Sequence, residues 1–127
     1  MIDLKNVTAS YPLPDRTRRV VLENLTLSLK QGEMAYLIGP TGSGKSTLLR
    51  LLYMDLLPDT GTVRVGEYRS DMITPQQIPY LRRSLGVVFQ DFQLLPDRTV
   101  YENVAFALYA TGKSGGAVKT KVVHLLA

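Results

Sequence analysis

The sequence predicts an α/β fold in which an antiparallel β subdomain is followed by part of a parallel core sheet with helices. Near the amino terminus apolar residues alternate with polar ones, further along come short unbroken apolar runs, and leucine-rich helical patterns follow these runs. Alternation is typical of a half-buried antiparallel strand, whereas an unbroken run is typical of a strand covered on both faces. By length, all 127 residues fit within one domain.

The predicted elements follow from these patterns in chain order. Antiparallel strands are expected at residues 2–7, 25–29 and 62–65, and buried strands of the parallel sheet at 34–38 and 85–90. Helices are expected at residues 48–56, 76–84 and 99–112, and from about residue 117 to Ala127. Thr99 and Glu102 form a capping box at the start of the third helix. Two prolines between the first two strands predict a turn or loop there.

Composition and charge exclude several classes of protein. The absence of cysteine excludes disulfides and thiolate metal sites, and it suits a reducing cytosol. No secretory leader and no membrane span are expected from the amino terminus or from the apolar stretches. The net charge is +4, and the densest basic cluster, Arg16 to Arg19, is predicted to be a solvated loop rather than a nucleic-acid site.

A glycine-rich loop between a predicted strand and a predicted helix matches the phosphate-loop (Walker A) pattern G-x-x-x-x-G-K-[ST]. The loop consists of Gly39, Pro40, Thr41, Gly42, Ser43, Gly44, Lys45 and Ser46. Glycines allow successive backbone N–H groups to point at an anion, and the helix that follows adds the positive end of its dipole. The loop therefore predicts a site for a triphosphate, with ATP and Mg²⁺ as the expected cofactors.

Three side chains at the loop have distinct predicted roles. Lys45 can reach the β- and γ-phosphates, the Ser46 hydroxyl can ligate Mg²⁺, and the Thr47 hydroxyl can approach the α-phosphate. The loop pattern by itself does not separate a transport ATPase from a GTPase or a small-molecule kinase. A lid of arginines or an N-K-x-D base reader would favour the last two, and neither occurs in the sequence.

Two residues outside the loop give the chain its resemblance to the ATP-binding cassette family. Tyr11 lies upstream, where the family has an aromatic ring that packs on adenine, and Gln90 lies downstream, where the family has a glutamine that touches Mg²⁺ and the attacking water. The resemblance implies a base-stacking role for Tyr11 and a catalytic and metal-binding role for Gln90. The alternatives are a loop tyrosine packed on the sheet and a polar strand end.

Longer stretches carry the resemblance from Met1 to Ala127, and "LLPDRTVYENV" is its most specific part. Within the family they resemble the cell-division ATP-binding proteins. This likeness implies an ATPase that forms a homodimer at the cytoplasmic face of the membrane and acts on an integral membrane subunit. Phe92, Leu94 and Leu95 are candidate contacts with that subunit, and the alternative is that they belong to the core of a small subdomain.

Several groups that an ATPase of this family needs do not occur in the chain. These are an LSGGQ signature, an apolar run ending in Asp-Glu and a switch histidine. Leu51–Asp55 imitates such a run but is predicted to continue the preceding helix. Lys113–Val118 shares Ser-Gly-Gly with the signature but is predicted to be an ordinary loop, and His124 is predicted to be an ordinary helix residue.

These observations predict the amino-terminal part of one nucleotide-binding domain, residues 1–127. We expect nucleotide binding without turnover. We also expect self-association or poor solubility, because apolar surface and a sheet edge would be left open. The alternatives are a nucleotide-binding domain of a solute-exporting transporter and a non-catalytic fragment that associates.

Overall fold

A four-stranded antiparallel sheet with strand order β2-β1-β3-β4 is the only sheet in the computed structural model, which describes all residues from Met1 to Ala127. The strands are β1 (Ile2–Pro12), β2 (Arg18–Leu29), β3 (Thr60–Val65) and β4 (Tyr68–Arg69). The helices are α1 (Lys45–Leu52), α2 (Ile78–Arg83), α3 (Val100–Ala110) and α4 (Gly116–Leu126). The chain divides into two compact units, Met1–Ser84 and Leu85–Ala127, each of which is described by itself.

The first unit contains the whole sheet, α1 and α2. Strand β1 lies between β2 and β3 and pairs antiparallel with both, so its apolar side chains are the most enclosed. The buried apolar residues of the strands and of α1 are Leu4, Val7, Ala9, Leu48, Leu51, Val63 and Val65. Helix α1 packs against β2 and β3. The predicted antiparallel subdomain is therefore confirmed.

Both long strands extend further than their sequence patterns predicted. Strand β1 continues to Pro12 and β2 begins at Arg18, so the turn between them is shorter than expected. The register between β1 and β2 shifts near two asparagines, Asn6 and Asn24, which have φ of 50° and 48°. Asparagine tolerates this left-handed conformation better than most residues, so irregular pairing interrupts the apolar alternation without ending the strands.

The two segments predicted as buried parallel strands are not strands, and this part of the expectation was wrong. Residues 34–38 and 85–90 belong to no sheet, and their apolar side chains are exposed except for the half-buried Leu85; Ile38 is 89% and Val88 is 96% accessible. A strand requires hydrogen bonds to a neighbouring strand, and none of the described strands pairs with either segment. An apolar run indicates that a segment tends to be buried, but it does not specify the neighbouring strand with which the segment would pair.

Helix α1 is shorter than predicted. It ends at Leu52, with Tyr53 as its C-cap, because Met54 has a left-handed φ of 53° and is buried. The backbone N–H groups of Asp55 and Leu56 both return to the Arg50 carbonyl, at 2.9 and 3.2 Å. Leu51–Asp55 is thus a helix end followed by a turn. The prediction that this segment is not a strand is confirmed, but the prediction that it continues the helix is wrong.

The second unit is built on the packing of α3 against α4. Ala105 contacts Val118 and Val122 in a small buried cluster, and Val104 and Leu108 cover its edges. The predicted capping box is confirmed at the start of α3, where the side chains of Thr99 and Glu102 each bond the other's backbone N–H. His124 is exposed on α4, as expected. None of the four helices is long and apolar enough to span a membrane.

Replacement of Gly61 by alanine is predicted to destabilise the protein more than the same change at Gly66. Both glycines have positive φ, 81° and 59°, so each alanine adds about 1–2 kcal/mol of backbone strain. At Gly61 a Cβ would also collide with the backbone of Lys5 and Asn6 in β1, whereas at Gly66 it would meet open space. We expect a difference in free energy of unfolding of more than about 1 kcal/mol, measured by urea denaturation. Equal losses would contradict the close approach of β3 to β1.

The capping box predicts a pH-dependent contribution to stability. Hydrogen bonds from the Thr99 backbone N–H and hydroxyl lower the pKa of Glu102 below its ordinary value of 4.5. A carboxyl with a lowered folded-state pKa stabilises the fold above its unfolded-state pKa and loses this contribution as pH falls through the folded-state value. We therefore expect Glu102→Gln to lower the free energy of unfolding at neutral pH and to matter progressively less below pH 4.5.

The matched control for this prediction is Glu67→Gln, which removes the same charge from the turn between β3 and β4. Denaturation midpoints followed by circular dichroism at a series of pH values measure both variants. A Glu102→Gln effect that stays constant across the acid range would contradict the prediction.

Candidate phosphate-binding site

The glycine-rich loop lies directly before α1 and packs against β2 at its last glycine. Gly44 is buried, with φ of 92°, a conformation that favours glycine. A Cβ on Gly44 would lie 2.8 Å from Leu22 Cδ2 and 3.2 Å from the Val21 carbonyl oxygen. Only glycine therefore allows the amino end of α1 to sit this close to the sheet.

The rest of the loop turns tightly on itself. The Ser43 N–H donates to the Pro40 carbonyl at 3.2 Å, and Gly42 has φ of 84°. A Cβ on Gly39 would lie 2.7 Å from the Ser43 Oγ, so this glycine also leaves no space for a side chain. The glycines thus add no side chains of their own to the loop, and uncovered backbone is what an anion cradle requires.

Helix α1 begins without any group that would compete with an anion. No side chain caps its amino terminus, and no acidic residue occurs in its first turn. The first N–H groups of a helix have no intrahelical acceptor, and they lie at the positive end of the helix dipole. The start of α1 therefore offers hydrogen-bond donors and positive potential at the point where the loop ends.

Lys45 places its ammonium group inside the loop. Its Nζ donates to the carbonyl oxygens of Gly39 and Pro40, both at 2.7 Å, and lies 3.5 Å from the Ser43 Oγ. Lys45 forms no ion pair with a carboxylate. A compact positive charge held by weak neutral acceptors can exchange them for phosphate oxygens, which bind an ammonium group more strongly.

The two hydroxyl residues that follow point to different surroundings. Ser46 is exposed, so its hydroxyl is available for a metal that is also held by phosphate oxygens. Thr47 is buried, and its Oγ1 lies 3.4 Å from the Tyr11 hydroxyl. No cluster of three or more histidine, aspartate or glutamate side chains could hold a metal by itself. This fits Mg²⁺, which keeps several waters and binds through few protein ligands when a nucleotide's phosphates supply the rest.

Tyr11 lies on β1 and contacts α1 as well as the sheet. The Arg50 Nη1 donates to the Tyr11 hydroxyl at 3.2 Å, and the guanidinium carbon lies 5.6 Å from the ring centroid. Arg50 Nε in turn donates to Asp55 Oδ2 at 2.8 Å, and this bond raises the pKa of Arg50 further above its ordinary value. The structure therefore brings Tyr11 to the helix that carries Lys45, Ser46 and Thr47.

A second polar cluster fixes the end of β1 beside Tyr11. Ser10 is buried and donates from Oγ to Asp59 Oδ2 at 2.6 Å. Arg18 donates from Nε to the Ser10 Oγ at 2.7 Å and pairs with Asp59 Oδ1 at 2.7 Å. Arg18 was predicted to belong to a solvated loop, but it lies on β2 and bonds both Ser10 and Asp59. The sequence pattern did not predict this cluster, because Asp59 is distant from Ser10 and Arg18 along the chain.

Gln90 and the apolar residues after it belong to the second unit. Gln90 is exposed in a turn, and its predicted roles at the metal and at water stay predictions. Phe92 and Leu94 are 77% and 68% accessible, so they are not core residues of this unit. Phe92 and Gln93 both have positive φ, 58° and 49°, a conformation that costs free energy in residues with side chains.

The Asn103 side chain on α3 holds the preceding loop, residues 95–99, against the helix, and the sequence pattern did not predict this role. Its Oδ1 accepts from the Leu95 N–H at 2.8 Å, and its Nδ2 donates to the carbonyl oxygens of Leu95, Arg98 and Thr99. The loop and α3 border a groove of about 370 Å³, lined by Leu95, Arg98, Tyr101, Glu102, Ala105, Phe106 and Tyr109. The only sequence feature that pointed to this loop was the stretch "LLPDRTVYENV", the most specific part of the resemblance to the family.

A glycine-rich loop that ends at the uncapped start of a helix, with a lysine inside the loop and a hydroxyl after it, defines a phosphate-loop nucleotide-binding protein. Residues 22–126 match the family described as ABC transporter. The chain belongs to this family, and its fold is similar to that of ATP-binding cassettes.

The proteins to which this chain is similar include cell-division and import ATP-binding proteins. Over 126 residues, or 99% of this chain, the cell division ATP-binding protein FtsE is 42% identical in Mycobacterium tuberculosis and 38% identical in Bacillus subtilis. The methionine import ATP-binding protein MetN 1 of Pectobacterium atrosepticum is 35% identical over the whole chain and is covered over 37% of its length. The chain spans about half the length of the FtsE proteins, 54% in both organisms.

Solved structures give the same result for the fold. A dimeric ATP-binding cassette in a post-hydrolysis state, bound to ADP and Pi, superimposes with a TM-score of 0.87 and 32% identity, over 98% of this chain and 55% of that one. The ATP-binding subunit of an ABC transporter superimposes with a TM-score of 0.75 and 27% identity, over 90% and 44%. The predicted α/β fold class and the family resemblance are therefore confirmed, although the predicted parallel part of the sheet is not formed.

Proposed function

We propose that this chain binds Mg-ATP through its phosphate loop and forms the Walker A part of an FtsE-like ATPase. In this proposal the whole protein hydrolyses ATP to drive a membrane partner in bacterial cell division. The observation that carries the proposal is the placement of Lys45 within a loop that Gly44 fixes against β2, at the uncapped start of α1. Donors and positive charge converge there without a neighbouring carboxylate.

Each loop residue has a proposed part in binding. The backbone from Gly39 to Ser46 cradles the phosphates, Lys45 binds the terminal phosphates, and the Ser46 hydroxyl ligates Mg²⁺. Thr47 approaches the α-phosphate from the buried side, and Tyr11 stacks on the base. When bound, Mg²⁺ neutralises charge on the phosphates.

We propose that this chain binds nucleotide without hydrolysing it. Phosphoryl transfer to water needs a group that orients the water and groups that complete the site across a dimer. Gln90 is the only residue of the chain proposed to contact the attacking water, and the sequence contains no LSGGQ signature and no apolar run ending in Asp-Glu. The proposed homodimer of the whole protein is supported by the dimeric post-hydrolysis cassette to which this chain is similar.

The proposed partner of the whole protein is an integral membrane subunit, FtsX-like, at the cytoplasmic face of the membrane. Its proposed contacts are Phe92, Leu94 and Leu95, of which the first two are largely exposed. Exposed apolar residues, together with a groove that Leu95 lines with three aromatic side chains, suit a peptide segment of apolar character. The 42% sequence identity with FtsE of Mycobacterium tuberculosis, over 99% of this chain, favours this partner.

A transporter role is the second candidate. The 35% identity with a methionine import ATP-binding protein over the whole chain favours an ATPase that serves solute transport. Both candidates share the phosphate loop and the need for a membrane subunit. They differ in the partner, so co-purification of the whole protein with FtsX or with a solute permease distinguishes them.

Removal of the lysine ammonium is predicted to weaken Mg-ATP binding. Hydrogen bonds to charged groups contribute about 1.5–3 kcal/mol, so Lys45→Ala should raise the dissociation constant by roughly ten- to a hundredfold. Isothermal titration with Mg-ATP measures the change, and Lys121→Ala on the exposed face of α4 is the matched control. Equal affinities of the wild type and Lys45→Ala would overturn the proposal. Release of phosphate by the purified chain would contradict binding without turnover.

We also propose that the chain self-associates through its exposed apolar segments. Residues 34–38 and 85–88 are uncharged, rich in β-forming residues and outside the sheet, a combination that favours strand addition. Val88→Lys should therefore lower the apparent mass in light scattering, whereas Val123→Lys on the exposed face of α4 should not. A monodisperse wild-type monomer at all concentrations would contradict the proposal.

A further inference from the structure

We propose that Arg50 is a positioning residue that holds the Tyr11 ring against α1 in the orientation in which the ring stacks on a purine base. The inference rests on the proposed binding of ATP. It assigns to Arg50 a contribution to the recognition of the base, separate from that of the phosphates.

The spacing of residues on α1 brings two groups to the same tyrosine. Thr47 and Arg50 are three residues apart, so they lie on one face of the helix. Thr47 Oγ1 and Arg50 Nη1 lie 3.4 and 3.2 Å from the Tyr11 hydroxyl. Two contacts at the hydroxyl restrict rotation of the side chain about both of its torsions.

The guanidinium group also lies over the ring, with its central carbon 5.6 Å from the centroid. This distance is within the range at which a cation is attracted to the face of an aromatic ring. Because Nη1 also bonds the hydroxyl, the guanidinium group lies towards the hydroxyl end of the ring and does not cover the centre of a face. A ring held in this way can stack on a flat purine base, whereas a phosphate chain offers no flat surface for stacking.

Asp55 fixes the guanidinium group from the other side. It accepts from Arg50 Nε at 2.8 Å and from Arg82 Nη2 at 3.4 Å. Arg82 also donates to the carbonyl oxygens of Tyr53 and Met54, at 3.0 and 3.2 Å, so the turn after α1 is tied to α2. The position of Arg50 therefore depends on a hydrogen-bonded turn and not on one flexible ion pair.

The physical consequence is that the cost of ordering Tyr11 falls on folding rather than on binding. A side chain that is already held in its binding orientation loses less conformational freedom when a ligand arrives. Loss of Arg50 should therefore weaken binding of ligands that contain the base and leave binding of the bare phosphate chain unchanged. An effect on the loop or on α1 as a whole would weaken both.

Titration with two ligands tests this separation. Mg-ATP and Mg-tripolyphosphate are titrated into the wild type, Arg50→Met, Arg50→Lys and Tyr11→Ala. We expect Arg50→Met to weaken the binding of Mg-ATP roughly two- to tenfold and to leave the affinity for Mg-tripolyphosphate unchanged. Arg50→Lys should recover part of the loss, because it restores the charge but not the planar fork. Arg69→Met is the matched control, because Arg69 pairs with Asp71 in the same way at 2.7 Å on β4.

The double variant Tyr11→Ala with Arg50→Met provides a further test. Because Arg50 acts through Tyr11, the second change should weaken Mg-ATP binding no further than Tyr11→Ala does. Additive losses would overturn the inference, as would equal weakening of the two ligands by Arg50→Met, or no weakening of either. If the wild type binds Mg-tripolyphosphate but Arg50→Met has no effect on ATP, only the inference fails. If the wild type binds neither ligand, the proposed function fails.

A measurement without nucleotide tests the contact itself. In protein carrying ¹³C-labelled tyrosine rings, Tyr11→Phe assigns the Tyr11 resonances, and Arg50→Met should shift them and increase ring mobility on the nanosecond scale. Arg69→Met should leave them unchanged. Unchanged Tyr11 resonances in Arg50→Met would overturn the positioning role whether or not the chain binds ATP.

Discussion

The close approach of Gly44 to β2 is the constraint on which the candidate site depends. Helix α1 can begin beside Val21 and Leu22 only because residue 44 has no side chain and adopts a positive φ. This contact fixes the direction in which the first N–H groups of α1 point, and it places Lys45 where its ammonium reaches the carbonyl oxygens at the start of the loop. The charge and the donors therefore converge because of packing against the sheet, and no side-chain cap is needed to order the helix start.

The same placement of α1 decides which other residues can join the site. Once the helix lies against β2 and β3, the side chains of Thr47 and Arg50 face the end of β1, where Tyr11 lies. The end of β1 is itself held by the Ser10, Arg18 and Asp59 cluster. A buried apolar core and two polar clusters thus position an aromatic ring beside the phosphate loop. Neither cluster leaves a buried side-chain polar atom without a partner.

Sequence reasoning predicted what is encoded locally. The phosphate loop, the antiparallel strands and the Thr99 capping box are each set by residues within a few positions of one another, and their general locations were correct. The segments 34–38 and 85–90 were wrongly predicted as strands, because an apolar run does not specify its hydrogen-bonding neighbour. The partners of Tyr11 and of Ser10 were missed for a related reason. Arg50 and Asp59 are separated from them by 39 and 49 residues, and no local pattern records such contacts.

This difference between local and distant determinants has a consequence for recognition of a nucleotide. In the proposed function, the phosphate chain is bound by one continuous segment that a short pattern encodes, so the loop can recur in proteins with many different functions. The base is there bound by a residue on another element, and we propose that the orientation of this residue depends on a partner on α1 and on the turn that holds this partner. Base recognition can therefore change through residues such as Arg50 or Asp55 without any change in the loop. Proteins with the same phosphate loop can in this way differ in how strongly they distinguish a nucleotide from a bare polyphosphate.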